Sequence, residues 1–223
     1  MRRYWIDLKN IRLHFWVPVI AALILVPLTV WGFYQISGNT EDITEASSLI
    51  QMYLPFLSIW WIVFVFRQYA DGNGRELLHM HCKSQLIECL FFQALFLLIT
   101  AVPYVLLSFF YEDMAYEYLR IAVQSFALSS LTYCILFVSR SATASILVSL
   151  IYVVVSWFVK VDFSKIIENT DSWLVHYNPI EYFNIFSVAK PALGLPWFKL
   201  IVPLIAGMVF LLIGRLFNRR MFR

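Results

Sequence analysis

The sequence predicts an all-α integral membrane protein, and three observations support this fold class. Hydrophobic residues make up 61% of the 223-residue chain and charged residues only 14%, whereas a soluble domain is roughly half apolar and a quarter charged. Several windows of about 18 or more apolar residues carry almost no charge, which is long enough for a helix to cross a bilayer. The alternating pattern of membrane strands is absent, and spanning helices satisfy their own backbone hydrogen bonds in lipid.

Six membrane spans are predicted, and they occupy most of the chain. Their ranges are 15–36, 49–66, 86–110, 121–138, 142–159 and 197–216. The fourth and fifth spans are separated only by Ser139, Arg140 and Ser141, so their division into two helices depends on this short break. No room is left for a separate soluble domain, and residues 1–223 are expected to form a single transmembrane domain.

Charged residues predict the orientation of the chain in the membrane. With the N-terminus inside, the inner loops carry twelve of the 17 basic residues but only four of the 14 acidic ones. Lysine and arginine accumulate in cytoplasmic loops. We therefore predict a multi-pass protein of the cell (plasma) membrane with both termini cytoplasmic. The basic balance requires no nucleic acid partner.

Residues 2–15 are predicted to form an interfacial helix on the cytoplasmic membrane surface. Apolar and aromatic residues recur at helical spacing on one face, at Tyr4, Trp5, Leu8, Ile11 and Phe15. Charged and polar residues fill the rest of the helix, which is typical of helices that lie in a membrane surface. A disordered basic tail is the alternative, and it leaves the two aromatic residues at positions 4 and 5 without a role.

Residues 160–196, between the fifth and sixth predicted spans, are predicted to re-enter the membrane from the outside. The segment is rich in aromatic and apolar residues, yet it is interrupted by Pro179, Pro191, Gly194 and Pro196. A solvated loop has no need for so many apolar side chains. Irregular backbone is tolerated at membrane depth where it packs against protein, so we expect short helices that dip into the outer leaflet.

Motifs for chemistry are largely missing from the sequence. There is no phosphate loop for ATP and no G-x-S-x-G nucleophile elbow. The stretch HMHC at 79–82 follows Glu76, but it lacks H-E-x-x-H spacing and a second ligand cluster, so metal binding is the weaker interpretation. Gln93 and Gln124 are the main polar groups inside the spans and are expected to form helix–helix hydrogen bonds. No catalytic or metal site is assigned.

Two phrases and the overall layout resemble the type-2 ABC transporter permeases. The stretch DGNGRELLHMHCKSQLIECLF at 71–91 resembles the family's phrase after span two, where a glycine follows a polar run and precedes "ELL" and a helix. The stretch HYNPIEYFN at 176–184 is similar to a proline-containing segment before the family's last span. In layout the resemblance covers essentially the whole chain. Two departures concern docking geometry: the acid is shifted to Asp71, and residues 81–83 replace the usual proline.

The resemblance implies that residues 75–80 form a coupling helix, which docks in a groove of a separate ATPase subunit. The residue types agree with this role. Gly72 and Gly74 permit a sharp turn out of span two, and Asn73 can cap the new helix. The predicted partner-binding residues are Arg75 and Glu76 at a polar rim and Leu77, Leu78 and Met80 on an apolar face. The alternative is a loop helix that packs on its own bundle.

By the same resemblance, the chain is expected to be the permease subunit of an ATP-driven exporter of an amphipathic or hydrophobic cargo. Toxin or antimicrobial peptides, such as phenol-soluble modulins, are the favoured cargo. Two copies, or this chain and a close relative, would lie in membrane lipid and bind two ABC ATPase subunits. ATP and Mg²⁺ would bind those partners, so this chain is expected to be no enzyme and to hold no cofactor. The alternative is a stand-alone membrane immunity or scaffold protein that binds a peptide without ATP.

Overall fold

The computed structural model of the chain describes residues 13–37, 43–71, 85–110, 114–158 and 198–220. Every secondary-structure element in these ranges is helical. In chain order the elements are α1 (Leu13–Ile20), a π-helical turn (Ala21–Leu25), α2 (Val26–Ser37), α3 (Ile43–Asp71), α4 (Gln85–Ser108), α5 (Met114–Ser139), α6 (Ala142–Phe158) and α7 (Phe198–Arg220). The all-α prediction is therefore confirmed for the described part of the chain.

Helix length and composition give five candidate membrane spans in these ranges. They are His14–Gln35, Leu49–Arg67, Gln85–Ser108, Glu117–Ser139 and Leu200–Asn218. These five correspond to five of the six predicted spans. The remaining predicted span, 142–159, corresponds to α6, whose apolar stretch Ala142–Ser156 is shorter than the others. The membrane class of the protein is thus supported, while the crossing by α6 stays a prediction.

The short break predicted between the fourth and fifth spans is present as a helical hairpin. α5 ends at Ser139 and α6 begins at Ala142. Arg140 has a φ of 56°, a left-handed conformation that is uncommon outside glycine and reverses the chain within two residues. The Ser141 hydroxyl oxygen accepts a hydrogen bond from the Ala144 N–H at 3.3 Å. Ser141 therefore caps the first turn of α6.

Two helices extend beyond the predicted spans at their N-terminal ends, and in one of them charged residues explain the difference. α3 begins at Ile43 and α5 at Met114, whereas the predicted spans begin at 49 and 121. The predicted boundary of the fourth span excludes charged residues. In the structure Glu117 and Arg120 are buried within the first two turns of α5 and form an ion pair with each other. Pairing lets the helix continue through these residues at a smaller desolvation cost.

The side-chain contacts define the relative directions of the helices. α3 and α5 run parallel, since Gln51 contacts Gln124 near one end and Phe66 contacts Tyr133 further along. α4 runs antiparallel to α5, because Gln93 bonds Ser129 and Ser130 whereas the later Leu97 bonds the earlier Tyr118. α7 runs parallel to α5. Gly207 lies close to Phe126, and Gly214, one heptad later in α7, lies close to Tyr133, which is also later in α5.

The first predicted span contains a π-helical turn at Ala21–Leu25 that the sequence pattern does not predict. Pro27 follows the turn and has no N–H to donate. The Thr29 hydroxyl donates to the Leu25 carbonyl oxygen at 2.6 Å, so a side chain supplies a hydrogen bond next to the irregular backbone. Trp61 Nε1 of α3 donates to the Phe15 carbonyl oxygen at 3.2 Å, which fastens α1 to the bundle.

Large apolar side chains lie on the outward faces of the helices. Leu98 of α4, Ile151 of α6 and Leu212 of α7 are each more than half exposed. The inner faces hold an aromatic core, in which Trp61 and Phe66 are almost fully buried. Extensive exposed apolar surface marks contact with a membrane or a partner, and here it agrees with helices that face lipid hydrocarbon.

Three predicted features lie outside the described residues. They are most of the interfacial helix at 2–15, the coupling helix at 75–80 and the re-entrant segment at 160–196. The described chain resumes on either side of the coupling segment, with α3 ending at Asp71 and α4 beginning at Gln85. These three features stay predictions.

Candidate functional site: a polar layer inside the helix bundle

α5 carries a row of buried polar side chains through the centre of the bundle. Gln124, Ser125, Ser129, Ser130 and Thr132 are each 5% exposed or less. Buried polar groups are unfavourable in an apolar interior unless they are hydrogen-bonded. Their partners come from α3, α4 and α6, so this row joins α5 to three neighbouring helices.

The contact of α5 with α3 rests on two amides and a hydroxyl. Gln51 Nε2 donates to Gln124 Oε1 at 3.1 Å. Further along α3, the Ser58 hydroxyl lies 3.1 Å from the Ser125 carbonyl oxygen and 2.6 Å from the Pro55 carbonyl oxygen. Pro55 lies inside α3 and lacks an N–H, so the backbone ladder of α3 is interrupted beside this contact.

The contact of α5 with α4 depends on one amide. Gln93 Nε2 donates to Ser129 Oγ at 2.8 Å and to Ser130 Oγ at 3.1 Å. Both hydroxyls in turn donate to the Phe126 carbonyl oxygen of their own helix, at 3.0 and 2.6 Å. The two serines therefore act as acceptors toward α4, and the amide nitrogen of Gln93 has both its protons bonded.

The contact of α5 with α6 is a hydroxyl pair. Thr132 Oγ1 lies 2.8 Å from Ser149 Oγ, and both residues are fully buried. Thr132 Oγ1 also lies 2.9 Å from the Leu128 carbonyl oxygen. This arrangement allows Thr132 to donate to its own helix and accept from Ser149. Interhelical bonds of this kind are worth about 1 kcal/mol in membranes.

A small cavity lies where α3, α4 and α5 meet. Its volume is about 10 Å³, and its lining residues are Ser58, Gln93, Phe96, Leu97, Ser125, Phe126 and Ser129. Two polar atoms of these residues have no hydrogen-bond partner among the described residues, namely Gln93 Oε1 and Ser125 Oγ. Both side chains are at least nine-tenths buried. Two of the residues that line this cavity therefore each carry an unpaired buried polar atom.

A second polar group of residues lies at the end of the bundle where α3 stops and α4 starts. The Tyr69 hydroxyl approaches Glu88 Oε2 to 3.5 Å, and both side chains are buried. The Gln85 side chain also contacts Asn218 near the end of α7. The charge pattern of the sequence counts Glu88 among the four acids of the inner side, and the structure shows that its side chain is buried in the bundle. The first residues of α4 are thus joined to both α3 and α7.

Sequence reasoning finds part of this polar layer. Gln93 and Gln124 are predicted to form helix–helix hydrogen bonds, and the structure confirms both. The partners were missed, although Ser125, Ser129 and Thr132 recur at positions i, i+4 and i+7 along one helical face. That spacing was the available signal. It is ambiguous, because serine and threonine in helices also bond to their own backbone.

The coupling-helix residues predicted to bind a partner lie outside the described residues. They are Arg75, Glu76, Leu77, Leu78 and Met80. The same holds for the HMHC stretch at 79–82. Among the described residues no group of three His, Cys, Asp or Glu side chains is close enough to hold a metal ion.

The polar layer consists of neutral hydrogen-bonding groups. Amides and hydroxyls of this kind can hold helices in register and can accommodate small polar molecules. Comparison with known proteins adds no further constraint, since no protein-family model, curated protein or solved structure matches the chain.

Proposed function

We propose that this chain is the permease subunit of an ATP-binding-cassette exporter. The observation that carries the proposal is the stretch at 71–91, which resembles the coupling-helix phrase of type-2 permeases. In the structure this stretch begins at the last residue of α3, Asp71, and runs into α4 from Gln85 onward. A segment that leaves one span and enters the next at the same end of a bundle is suitably placed to contact a cytoplasmic partner.

Charge supports the cytoplasmic assignment of that end. Arg67 lies near the end of α3 and is exposed, and Arg140 in the α5–α6 turn is exposed as well. Arg215 lies in the last part of α7, which meets the start of α4 through Asn218 and Gln85. Basic residues gathered at one end of a bundle favour the cytoplasmic side.

The directions of the helices support α6 as a membrane crossing, which brings the number of crossings to six. α7 runs parallel to α5, so the chain must return to the starting end of α5 before α7 begins. α6 follows α5 through a two-residue turn and packs along it through Thr132 and Ser149. Its 17 residues extend about 25 Å, at the lower limit for a span.

The proposed assembly contains two permease chains and two ABC ATPase subunits. ATP and Mg²⁺ bind the ATPases, whose closure would pull on the coupling helices and change access to a path between the permeases. The cargo is an amphipathic or hydrophobic molecule, with a toxin or antimicrobial peptide favoured. In this scheme the polar layer keeps α3, α4 and α5 moving as one body, because α3 and α4 flank the coupling segment and both are bonded to α5.

The central test replaces one coupling-helix anchor. Leu78→Asp is expected to weaken ATPase binding by about 2 kcal/mol or more, roughly 30-fold, as for a central interface anchor. The measurement is co-purification of an ABC ATPase with the tagged permease, together with cargo-stimulated ATP hydrolysis. Membrane insertion should be unchanged, because residue 78 is outside the predicted spans. Glu76→Arg is the matched comparison and should weaken binding less, since a rim charge contributes less than a buried anchor.

The outcome separates the two candidate functions. Wild-type binding and hydrolysis in Leu78→Asp would remove residues 75–80 as the coupling helix. If no ATPase is recovered even with the wild-type chain, while a peptide still binds it, the stand-alone immunity or scaffold function is favoured instead.

The topology can be tested with single cysteines in a variant that lacks Cys82, Cys89 and Cys134. Phe110→Cys and Lys160→Cys are expected to react with a membrane-impermeant thiol reagent added to intact cells. Arg140→Cys should react only after the membrane is permeabilised. Protection of residue 160 together with labelling of residue 110 would contradict α6 as a crossing helix.

A further inference from the structure

We propose that the cavity between α3, α4 and α5 binds one water molecule, which bridges Gln93 and Ser125 and so extends the α4–α5 contact toward α3. The inference concerns a binding site inside the bundle and does not depend on the transport function. It rests on the size of the cavity, on the unpaired polar atoms carried by two of its lining residues, and on the hydrogen-bond capacity of the remaining lining residues.

The size of the cavity fits a single small polar molecule. A volume of about 10 Å³ is at the lower limit of the room that one water molecule needs. A side chain of a cargo peptide is several times larger than this volume. Purely apolar cavities stay dry, but this one is lined in part by Ser58, Gln93, Ser125 and Ser129.

The unpaired atoms match the hydrogen bonds that a water molecule offers. Gln93 Oε1 can only accept, and its amide nitrogen already donates to Ser129 and Ser130. Reversing the amide would place its oxygen against two hydroxyls that already donate to the Phe126 carbonyl oxygen. The observed orientation of the amide is therefore the favourable one, and its oxygen needs a donor. Ser125 Oγ can both donate and accept.

A bridging water would satisfy both atoms at once. It would donate one proton to Gln93 Oε1. With Ser125 Oγ it would form a second hydrogen bond, as either donor or acceptor. Ser58 also lines the cavity and has lone-pair capacity left after donating its single proton. Buried waters typically make about three hydrogen bonds to otherwise unpaired groups, and these three residues supply that number from three helices.

The sign of the stability change in Ser125→Ala distinguishes a hydrated cavity from a dry one. If water is bound, the variant removes one of its partners, and the Tm of the purified protein should fall by about 2–4 °C, the size expected when one buried hydrogen bond is lost from a chain of this length. If the cavity is dry, the variant removes an unpaired buried hydroxyl. The Tm should then stay constant or rise, and this result would overturn the proposal.

Ser145→Ala is the matched control for the serine-to-alanine change itself. Ser145 is also fully buried in a helix, but its hydroxyl donates to the Ala142 carbonyl oxygen of its own helix at 3.0 Å and does not line the cavity. The change in Tm of Ser145→Ala reports the general effect of replacing a buried helical serine whose hydroxyl bonds to the backbone of its own helix. The effect of Ser125→Ala is measured relative to this value.

A second measurement does not depend on stability. In protein with ¹⁵N-labelled glutamine side chains, the amide protons of Gln93 should show a nuclear Overhauser effect to water, with the signal assigned through its loss in Gln93→Met. The effect should weaken in Ser125→Ala and persist in Ser145→Ala. If the Gln93 amide protons of the folded wild-type protein show no nuclear Overhauser effect to water, this result would also overturn the proposal.

Discussion

Replacing Gly214 with leucine is expected to prevent α7 from packing on α5 and to cause most of the folded protein to be lost. A Cβ atom on Gly214 would lie 2.8 Å from Tyr133 Cδ1 and 3.1 Å from the Cys134 Cα. The ring could turn away, but the backbone atom cannot move without displacing α5. Close approach of helix backbones at small residues is a main source of helix association in membranes. Overpacking by several carbon atoms at such a site is expected to cost about 3 kcal/mol or more.

Gly32→Leu is the matched control, since Gly32 also lies in a candidate membrane helix, but no described residue outside its own stretch of helix backbone comes within 4 Å of the position of its Cβ. The measurement is the yield of monodisperse protein after extraction in mild detergent, followed by its Tm. Gly214→Ala should give an intermediate loss of folded protein. A smaller residue in place of Tyr133 should restore the yield of Gly214→Ala only in part, because the contact with the Cys134 backbone remains. Equal yields for Gly214→Leu and Gly32→Leu would contradict the close packing of α5 and α7.

The general fold was predictable because membrane helices follow from simple composition. Long apolar windows indicate the positions of five spans, and the three-residue break at 139–141 correctly divides α5 from α6. The π-helical turn at Ala21–Leu25 was not predictable, since its residues are as apolar as their neighbours and the irregularity depends on backbone hydrogen bonding. The parallel packing of α7 on α5 left a trace in the sequence, because Gly207 and Gly214 are seven residues apart and lie on one helical face.

The polar layer was predictable only where the side chain is rare in a span. A long amide such as Gln93 or Gln124 is costly in hydrocarbon, so its presence alone indicates a partner. A serine carries no such information, because its hydroxyl can bond to its own helix, as Ser129 and Ser130 also do. Which serines face a neighbouring helix depends on helix rotation, and that is set by the packing of the whole bundle.

The structure changes the interpretation of two charged residues near the start of α5. Their charges alone assign Glu117 and Arg120 to the outer aqueous side. In the structure they are three residues apart on α5, both are buried, and they form an ion pair. A hydropathy scale adds the desolvation cost of each charged residue separately. Residues three positions apart on a helix lie side by side, so the two charges can pair, and the pairing offsets much of that cost.

Arg120→Met is therefore expected to destabilise the protein strongly. The Glu117 residue is only 3% exposed, and the substitution removes the cation that pairs with its carboxylate, while the methionine retains much of the arginine's apolar length. Removing one member of a buried ion pair typically costs about 3–5 kcal/mol, because the other charge stays buried without that counter-charge. The measurement is the midpoint of unfolding of the detergent-solubilised protein, compared with wild type.

The double variant tests whether the pair itself is responsible. Glu117→Gln combined with Arg120→Met removes both charges of the pair, so it should be more stable than Arg120→Met alone, and the two single effects should be far from additive. Arg67→Met serves as the control, since Arg67 is exposed and its replacement should change stability by less than about 0.5 kcal/mol. Additive effects of the two substitutions would show that Glu117 and Arg120 are stabilised separately by their surroundings, and that the buried pair does not explain why α5 begins before the predicted span.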